Sequence, residues 1–227
     1  MKKNRKLVIV GDSDLAQIAY EYFTYDSSYQ VCAFAVEKEF KKRDKLFELP
    51  VVQFEEVEQY FDINTHEAFV AITYPNLNRL RTRLYLAAKA KGYKIARYIS
   101  SKSFCWHNVI LGENVFIFED NTLQPFTKIG NNVILWSGNH IGHHSEIKDN
   151  CFISSHVVIS GHCVIDENCF IGVNSTISNG ITIAKDNFIN LGAVVLKSTE
   201  ENAFYEGNPA MKRSISSKKL FKVSDDN

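Results

Sequence analysis

Five of the seven histidines lie within 23 residues, and histidine is the side chain best suited to proton transfer near neutral pH. They are His140, His143, His144, His156 and His162. Imidazole is also a common ligand of zinc and other transition metals. This stretch therefore indicates either general acid–base chemistry or a metal site, with His140, His143 and His144 as the candidate ligands.

The histidines fall within a six-residue repeat. Fifteen aliphatic residues in succession are spaced six apart, from Leu111 to Val195. This period matches neither an α-helix nor an alternating strand, and it predicts a parallel β-helix of about five coils. The position four residues after each aliphatic residue is mostly small, and it places three thiols in the core: Cys151, Cys163 and Cys169.

Three repeats make one coil, so residues 18 apart are expected to lie above one another. His144 and His162 should stack in this way, and Gly138, His156 and Asn174 should form a similar column. His143 should lie over Gly161, which leaves room beside the imidazole for a substrate. We expect adjacent outward side chains to diverge, and therefore predict no metal site here.

The amino-terminal residues alternate between strand and helix patterns. We predict strands over residues 7–10, 30–36, 68–72 and 93–99, and helices over 15–23, 54–61 and 77–91. Such alternation is typical of a parallel sheet. The predicted organisation is an α/β Rossmann-like domain over residues 1–100, a parallel β-helix over 101–200, and a closing loop and tail over 201–227.

Composition limits the partners. The 26 basic and 26 acidic residues cancel, which argues against nucleic acid as a partner. No apolar run is long enough to span a bilayer, so no membrane insertion is expected. The odd number of cysteines, five, indicates reduced thiols and a cytoplasmic location. Residues 107–184 contain two lysines and no arginine, which predicts that other subunits cover much of the solenoid wall in a homotrimer.

The amino-terminal pattern, the hexapeptide repeat, the motif at residues 138–147 (GNHIGHHSEI) and the loop at 206–210 (EGNPA) together resemble the bacterial sugar acetyltransferases of the bacillosamine, perosamine and sialic-acid pathways. The resemblance extends over residues 6–213. It implies a left-handed β-helix, acetyl-CoA bound between the subunits of a trimer, and a nucleotide-linked sugar on the amino-terminal domain. It also implies that His143 is the catalytic base. Some members have glutamate directly after this histidine, where this chain has His144; Glu146 or an acid of a neighbouring subunit could then tune the base.

The resemblance also assigns binding residues by position. For the nucleotide-linked sugar they are Ser13, Asp14, Leu15, Glu37 and Thr73. Arg79 lies just beyond Thr73, where its guanidinium is expected to meet a phosphate. For acetyl-CoA they are Phe152, Val173 and Leu191. Lys212, which follows the loop at 206–210, is expected to meet the coenzyme's phosphates.

The expected activity is acetyl-CoA-dependent N-acetylation of a nucleotide-linked 4-amino-4,6-dideoxy sugar for a surface glycan. An amine that attacks a thioester must lose a proton, and His143 can accept it and return it to the leaving thiolate. A backbone N–H can stabilise the oxyanion. The alternatives are a sugar O-acetyltransferase of the sialic-acid type, a metal-dependent β-helix enzyme such as the gamma-type carbonic anhydrases, and a non-catalytic nucleotide-sugar-binding scaffold. The nucleotide and the sugar's stereochemistry stay open.

Overall fold

The computed structural model describes residues 2–223. The chain divides into two compact units. One comprises the residues up to Thr73 together with Arg83–Tyr98, and the other comprises Tyr74–Thr82 together with the residues from Ile99 onward. The segment Tyr74–Thr82 thus belongs with the repeat region, although the sequence placed it within the amino-terminal domain.

The first unit contains a six-stranded sheet. Its strands are β1 (Arg5–Val10), β2 (Tyr29–Val36), β3 (Lys45–Leu46), β4 (Leu49–Gln53), β5 (His66–Val70) and β6 (Lys94–Ile95). They lie in the order β3-β4-β2-β1-β5-β6, and all neighbours are parallel except the β3–β4 pair. The carboxyl ends of the parallel strands therefore meet at one edge of the sheet, where ligands bind in such sheets.

Three helices accompany these strands: α1 (Asp14–Tyr25), α2 (Val57–Tyr60) and α3 (Arg79–Ala90). The predicted helix over 54–61 is instead a 3₁₀ turn, Phe54–Glu56, followed by α2. The tail carries α4 (Ser217–Leu220). Within residues 2–223, no helix is both long and apolar enough to cross a membrane.

Two strand predictions for the first unit were incomplete. The predicted strand over 93–99 is two strands, because β6 ends at Ile95 and β7 (Tyr98–Ile99) joins a different sheet. The short pair β3–β4 was not predicted, since Pro50 interrupts an already short apolar run and proline argues against a strand.

The second unit is a solenoid of two-residue strands spaced six residues apart, arranged in three sheets of parallel strands with one antiparallel strand at the end. Sheet 1 contains β7, β10 (Phe116–Ile117), β13 (Ile134–Leu135), β16 (Phe152–Ile153), β19 (Phe170–Ile171), β22 (Phe188–Ile189), β24 (Phe204–Glu206) and the antiparallel β25 (Met211–Lys212). Sheet 2 contains β8 (Phe104–Cys105), β11 (Thr122–Leu123), β14 (His140–Ile141), β17 (Val158–Ile159), β20 (Thr176–Ile177) and β23 (Val194–Val195). Sheet 3 contains β9 (Ile110–Leu111), β12 (Lys128–Ile129), β15 (Glu146–Ile147), β18 (Val164–Ile165) and β21 (Thr182–Ile183).

The repeat positions occupy the interior as predicted. The second residue of each solenoid strand from β10 to β23 points inward and is at most 2% exposed. Cys151, Cys163 and Cys169 are fully buried free thiols in the same core. Burial raises the pKa of Cys163 and Cys169, so these thiols stay protonated and act as packing groups.

A residue with positive φ occurs at every sixth position and forms the corners between the sheets. The corner residues are Asn114, Asp120, Phe126, Asn132, Gly138, His144, Asn150, His156, His162, Asn168, Asn174, Gly180, Asp186 and Gly192. Glycine, asparagine, aspartate and histidine are the residues most often found in this left-handed conformation. Each coil therefore has three corners, and their backbone geometry explains the polar residues at this repeat position.

The outward face of sheet 1 is an aromatic wall, which is covered by the chain itself. The wall consists of four phenylalanines and one isoleucine: Phe116, Ile134, Phe152, Phe170 and Phe188. The Tyr74 ring packs edge-on against Phe152 and Phe170, at centroid distances of 5.0 and 4.6 Å. Phe221 of the tail packs against Phe188 at 4.9 Å. This wall is thus covered within the chain, and coverage of the other faces by neighbouring subunits stays a prediction.

One corner is stabilised by a buried amide ladder and an arginine. The Asn114 amide donates to Asn132, and the Asn132 amide donates to Asn150, each over 2.8 Å. The guanidinium of Arg81, which is fully buried, donates to the Asn132 side chain and to the carbonyls of Asn132, Asn150 and Cys151. Arg81 therefore fixes the segment Tyr74–Thr82 to two successive coils.

Candidate functional site

His143 lies at the corner between β14 and β15, with its side chain exposed. Its backbone N–H donates to Gln124 Oε1 over 2.9 Å. The imidazole lies directly over Gly161, as the coil period predicted. A Cβ atom added at position 161 would be only 2.8 Å from the ring atoms Cε1 and Nε2. The ring itself fills the space over Gly161 that was expected to admit a substrate.

The adjacent His144 turns toward His143 rather than away from it. Their Nδ1 atoms are 3.1 Å apart, a hydrogen bond in which one imidazole donates and the other accepts. The expectation that neighbouring side chains diverge was therefore wrong. It assumed extended backbone, whereas His144 has φ of +59° and the left-handed turn redirects its side chain.

His162 completes a cluster of three imidazoles, which we call the histidine corner. The His144 and His162 rings stack at 4.9 Å with an interplanar angle of 14°, which confirms the predicted stacking one coil apart. Phe126 stacks on the other side of His144 at 4.6 Å. One ligand atom from each of His143, His144 and His162 lies within 4.8 Å of the other two.

The remaining histidines of the stretch lie elsewhere. His140 is the outward residue of β14 and is half-buried. His156 lies at the corner that also carries Gly138 and Asn174, and a Cβ at Gly138 would be 2.4 Å from its Nδ1. The predicted column of Gly138 and His156 is therefore confirmed, and His156 offers a matched control for His162, since both are exposed and have φ of +58°.

Gly161 makes a prediction of its own. Replacing Gly161 with alanine should displace the His143 imidazole, because the new Cβ would meet the ring at 2.8 Å. If His143 is the base, a displacement of about 1 Å should lower kcat about 100-fold. Gly180→Asn is the control, since Gly180 has positive φ and open space around it. Steady-state kinetics on both variants tests this, and an unchanged kcat in Gly161→Ala would contradict it.

In the first unit, Ser13 and Asp14 are exposed at the start of α1. Ser13 is the N-cap residue, but its side chain makes no capping hydrogen bond, so the backbone N–H groups of the first turn can meet an anion. Leu15 is buried in the core, and only its backbone can contribute. Gly11 before them has φ of +116°, and a Cβ there would lie 2.9 Å from the Ala71 carbonyl oxygen, so the tight turn requires glycine.

Glu37 follows β2 and binds Arg83 of α3 through two contacts, 2.7 and 2.9 Å long. The hydrogen bond from Arg83 lowers the pKa of Glu37, which therefore stays ionised at neutral pH. Arg43 and Asp12 form a second ion pair. Arg43 Nε lies 3.2 Å from Oδ2 of Asp12, which follows β1. Neither arginine was among the residues predicted for this site.

Thr73 lies beyond the end of β5 and is half-buried. Arg79, which was assigned to a phosphate, belongs to the second unit. Its guanidinium contacts Asp186 Oδ1 at 2.5 Å and the Leu77 carbonyl at 3.0 Å. A phosphate at Arg79 would therefore have to share the guanidinium with the nearly buried Asp186.

Two of the four acetyl-CoA candidates form one exposed apolar patch. Val173 is 42% exposed and Leu191, one coil further along the same corner column, is 70% exposed. Phe152 is only 3% exposed and stacks on Phe170 within the aromatic wall, so its side chain is not available at the surface. Lys212 is exposed and paired with Glu200, whose hydrogen bond raises the pKa of the lysine.

The family model described as "Bacterial transferase hexapeptide (six repeats)" matches residues 126–161, which include His143 and His144. A comparison with curated proteins found no match in sequence.

Solved structures are similar over nearly the whole chain. Perosamine N-acetyltransferase from Caulobacter crescentus, as a histidine-to-asparagine variant with CoA and GDP-perosamine, has a TM-score of 0.82 at 22% identity, covering 92% of this chain and 97% of that one. The acetyltransferase domain of PglB from Neisseria gonorrhoeae has a TM-score of 0.83 at 20% identity, covering 92% and 100%. WeeI from Acinetobacter baumannii has a TM-score of 0.72 at 19% identity, with the same coverage.

The second unit is thus a β-helix-like solenoid built from hexapeptide repeats, and 92% of the chain is similar in fold to these proteins.

Proposed function

We propose that the protein is an acetyl-CoA-dependent N-acetyltransferase that acts on the amino group of a nucleotide-linked 4-amino-4,6-dideoxy sugar. The observation that carries this proposal is the exposed His143 imidazole, held over Gly161 with its Nδ1 bonded to His144 on a hexapeptide-repeat solenoid. The similar proteins crystallised with CoA and GDP-perosamine support the substrate class.

The His143–His144 pair gives the base its orientation. When His143 Nδ1–H donates to His144 Nδ1, the lone pair on His143 Nε2 is free to accept a proton. His144 then occupies the position where a carboxylate would orient the base. Glu146, the other residue expected to tune the base, is the outward residue of β15 in sheet 3.

Acetyl-CoA would supply an acetyl thioester. His143 Nε2 takes a proton from the sugar amine as the nitrogen adds to the thioester carbonyl, and returns it to the thiolate sulfur as the carbon–sulfur bond breaks. The products are an amide and free CoA. A backbone N–H of the solenoid would stabilise the oxyanion.

The nucleotide-linked sugar is assigned to the first unit, a Rossmann-like domain in this proposal. The uncapped start of α1 at Ser13 and Asp14 provides backbone N–H groups for the diphosphate. Glu37, ionised and oriented by Arg83, can accept hydrogen bonds from ribose or base groups. Leu15 and Thr73 would contribute backbone and local packing.

The coenzyme site supports a homotrimer of left-handed β-helices. Val173 and Leu191 lie at the corner between sheets 1 and 2, whereas His143 lies at the corner between sheets 2 and 3. Because the two corners are on different edges of one solenoid, a coenzyme that reaches both groups would lie between two chains. Lys212 would bind the coenzyme's phosphates in place of its present partner, Glu200.

Leu191 tests the coenzyme site. Leu191→Asp should raise the KM for acetyl-CoA about 10- to 100-fold, since burying a leucine against a ligand is worth about 1.5–3 kcal/mol. The fold should be unaffected because the side chain is 70% exposed. Leu86→Asp, at a 56% exposed helix position, is the control. An unchanged KM for acetyl-CoA would remove Leu191 from the site.

The proposed function is tested by measuring release of the CoA thiol with a panel of UDP-, GDP- and dTDP-linked 4-amino sugars. Turnover of at least one is expected, and mass spectrometry should show an alkali-stable amide. An alkali-labile ester would indicate the O-acetyltransferase instead. Calorimetry with acetyl-CoA separates both from a non-catalytic scaffold, which has no reason to bind it.

A further inference from the structure

We propose that His143, His144 and His162 form a site for a divalent transition metal ion of the Zn²⁺, Co²⁺ or Ni²⁺ type. Metal bound there would occupy the imidazole that serves as the base in the proposed function. The histidine corner would thus bind an inhibitory metal.

The three ligands are already assembled. Their candidate donor atoms lie within 4.8 Å of one another, and all three side chains are exposed. Zinc–nitrogen bonds are about 2.0–2.1 Å long, so donors on one ion lie about 3–4 Å apart. The stacked His144 and His162 rings must turn until their in-plane lone pairs converge on the ion, and their exposure at the surface permits this rotation.

The backbone beneath the rings is fixed by ladder hydrogen bonds. The His162 N–H donates to the His143 carbonyl over 3.0 Å, and the His144 N–H donates to the Pro125 carbonyl over 3.2 Å. Phe126 supports the far side of the His144 ring. The three ligands come from two successive coils, so the geometry does not depend on a mobile loop.

The donor set selects the metal. Three neutral imidazoles without a carboxylate or thiolate in the cluster, among the described residues, favour Zn²⁺, Co²⁺, Ni²⁺ or Cu²⁺ over Mg²⁺ and Ca²⁺. Exposure leaves at least one coordination position open to solvent, which is unlike a closed structural zinc site.

Calorimetry with ZnCl₂ on the untagged, EDTA-treated full chain tests the proposal, together with the visible absorption of the Co²⁺ form. We expect one ion per chain for the wild type. His162→Asn should weaken binding by about tenfold or more, since even the loss of an outer-shell partner typically costs about 10- to 100-fold. His156→Asn, the matched control at another corner, should bind as the wild type does.

Absence of Zn²⁺ binding, or equal weakening in His162→Asn and His156→Asn, would overturn the proposal. The inhibitory part rests on the proposed function and is measured separately. Zn²⁺ should inhibit acetyl transfer by the wild type and by His156→Asn, but inhibit His162→Asn about tenfold less strongly. Because the binding measurement needs no substrate, a failed activity assay would leave the metal site intact, and activity insensitive to bound Zn²⁺ would refute only the inhibition.

Discussion

Replacing His143 with asparagine should lower kcat by about 10²- to 10⁴-fold, the range typical for loss of a general base. Asparagine keeps a polar side chain over Gly161 but cannot accept and return a proton. The KM values for the sugar and acetyl-CoA should change little, because the lost interaction is made in the transition state. The measurement is steady-state thiol release with the best substrate of the panel.

The matched control is His156→Asn, which removes an exposed imidazole at another corner. Because that corner also carries Val173 and Leu191, the kcat is compared at saturating acetyl-CoA, where it should equal that of the wild type. His143→Asn should also retain the circular dichroism and urea transition of the wild type, since the side chain is exposed. Turnover close to wild type in His143→Asn would exclude it as the base while leaving acetyl transfer as the activity.

Replacing Arg81 with methionine should destabilise the protein by about 1.5–3 kcal/mol or more, because four buried oxygen acceptors lose a charged donor. The fully buried guanidinium donates to one side chain and three carbonyls, and methionine fills similar volume without any donor. Burial lowers the pKa of Arg81 to about 9, so the group remains charged at neutral pH and its hydrogen bonds are charge-assisted.

Urea unfolding followed by circular dichroism measures this effect. Arg81→Lys should recover only part of the stability, because one ammonium cannot reach all four acceptors. Arg83→Met is the control: Arg83 is half exposed and paired with Glu37 near the surface, and its loss should change the stability by less than about 1 kcal/mol. Equal transitions for the wild type and Arg81→Met would show that the buried arginine does not stabilise the solenoid.

The solenoid could be predicted because one residue type, aliphatic, recurs at every sixth position of the sequence. An inward aliphatic residue at every sixth position has one arrangement that buries all of them, and the structure buries them. The same period correctly predicted that His144 stacks with His162 and that His143 lies over Gly161.

The convergence of His143 and His144 could not be predicted from the period. It depends on the left-handed conformation of His144, and residue identity only weakly indicates positive φ outside glycine. The amide ladder through Asn114, Asn132 and Asn150 had a visible signal, asparagine at 18-residue intervals, but that spacing was not interpreted as a corner.

The packing of residues 74–82 against the solenoid could not be predicted from the sequence either. Arg79 and Arg81 belong to the helix predicted over 77–91, and charged residues on a helix normally lie on its solvent-facing side. Only tertiary packing shows that Arg81 is buried against carbonyls and that Arg79 pairs with Asp186. Likewise, the resemblance selected position 152, but the sequence alone does not reveal that Tyr74 covers Phe152.

In this solenoid, the residues that determine stability are different from the corner residues that determine the chemistry of the surface. The inward hexad positions determine stability, whereas residues such as His144, His156 and His162 occupy corners whose backbone conformation asparagine or glycine can also adopt. A substitution among these residues changes the chemistry of an edge without repacking the interior. The reactivity of such a solenoid can therefore evolve one corner at a time on an unchanged core.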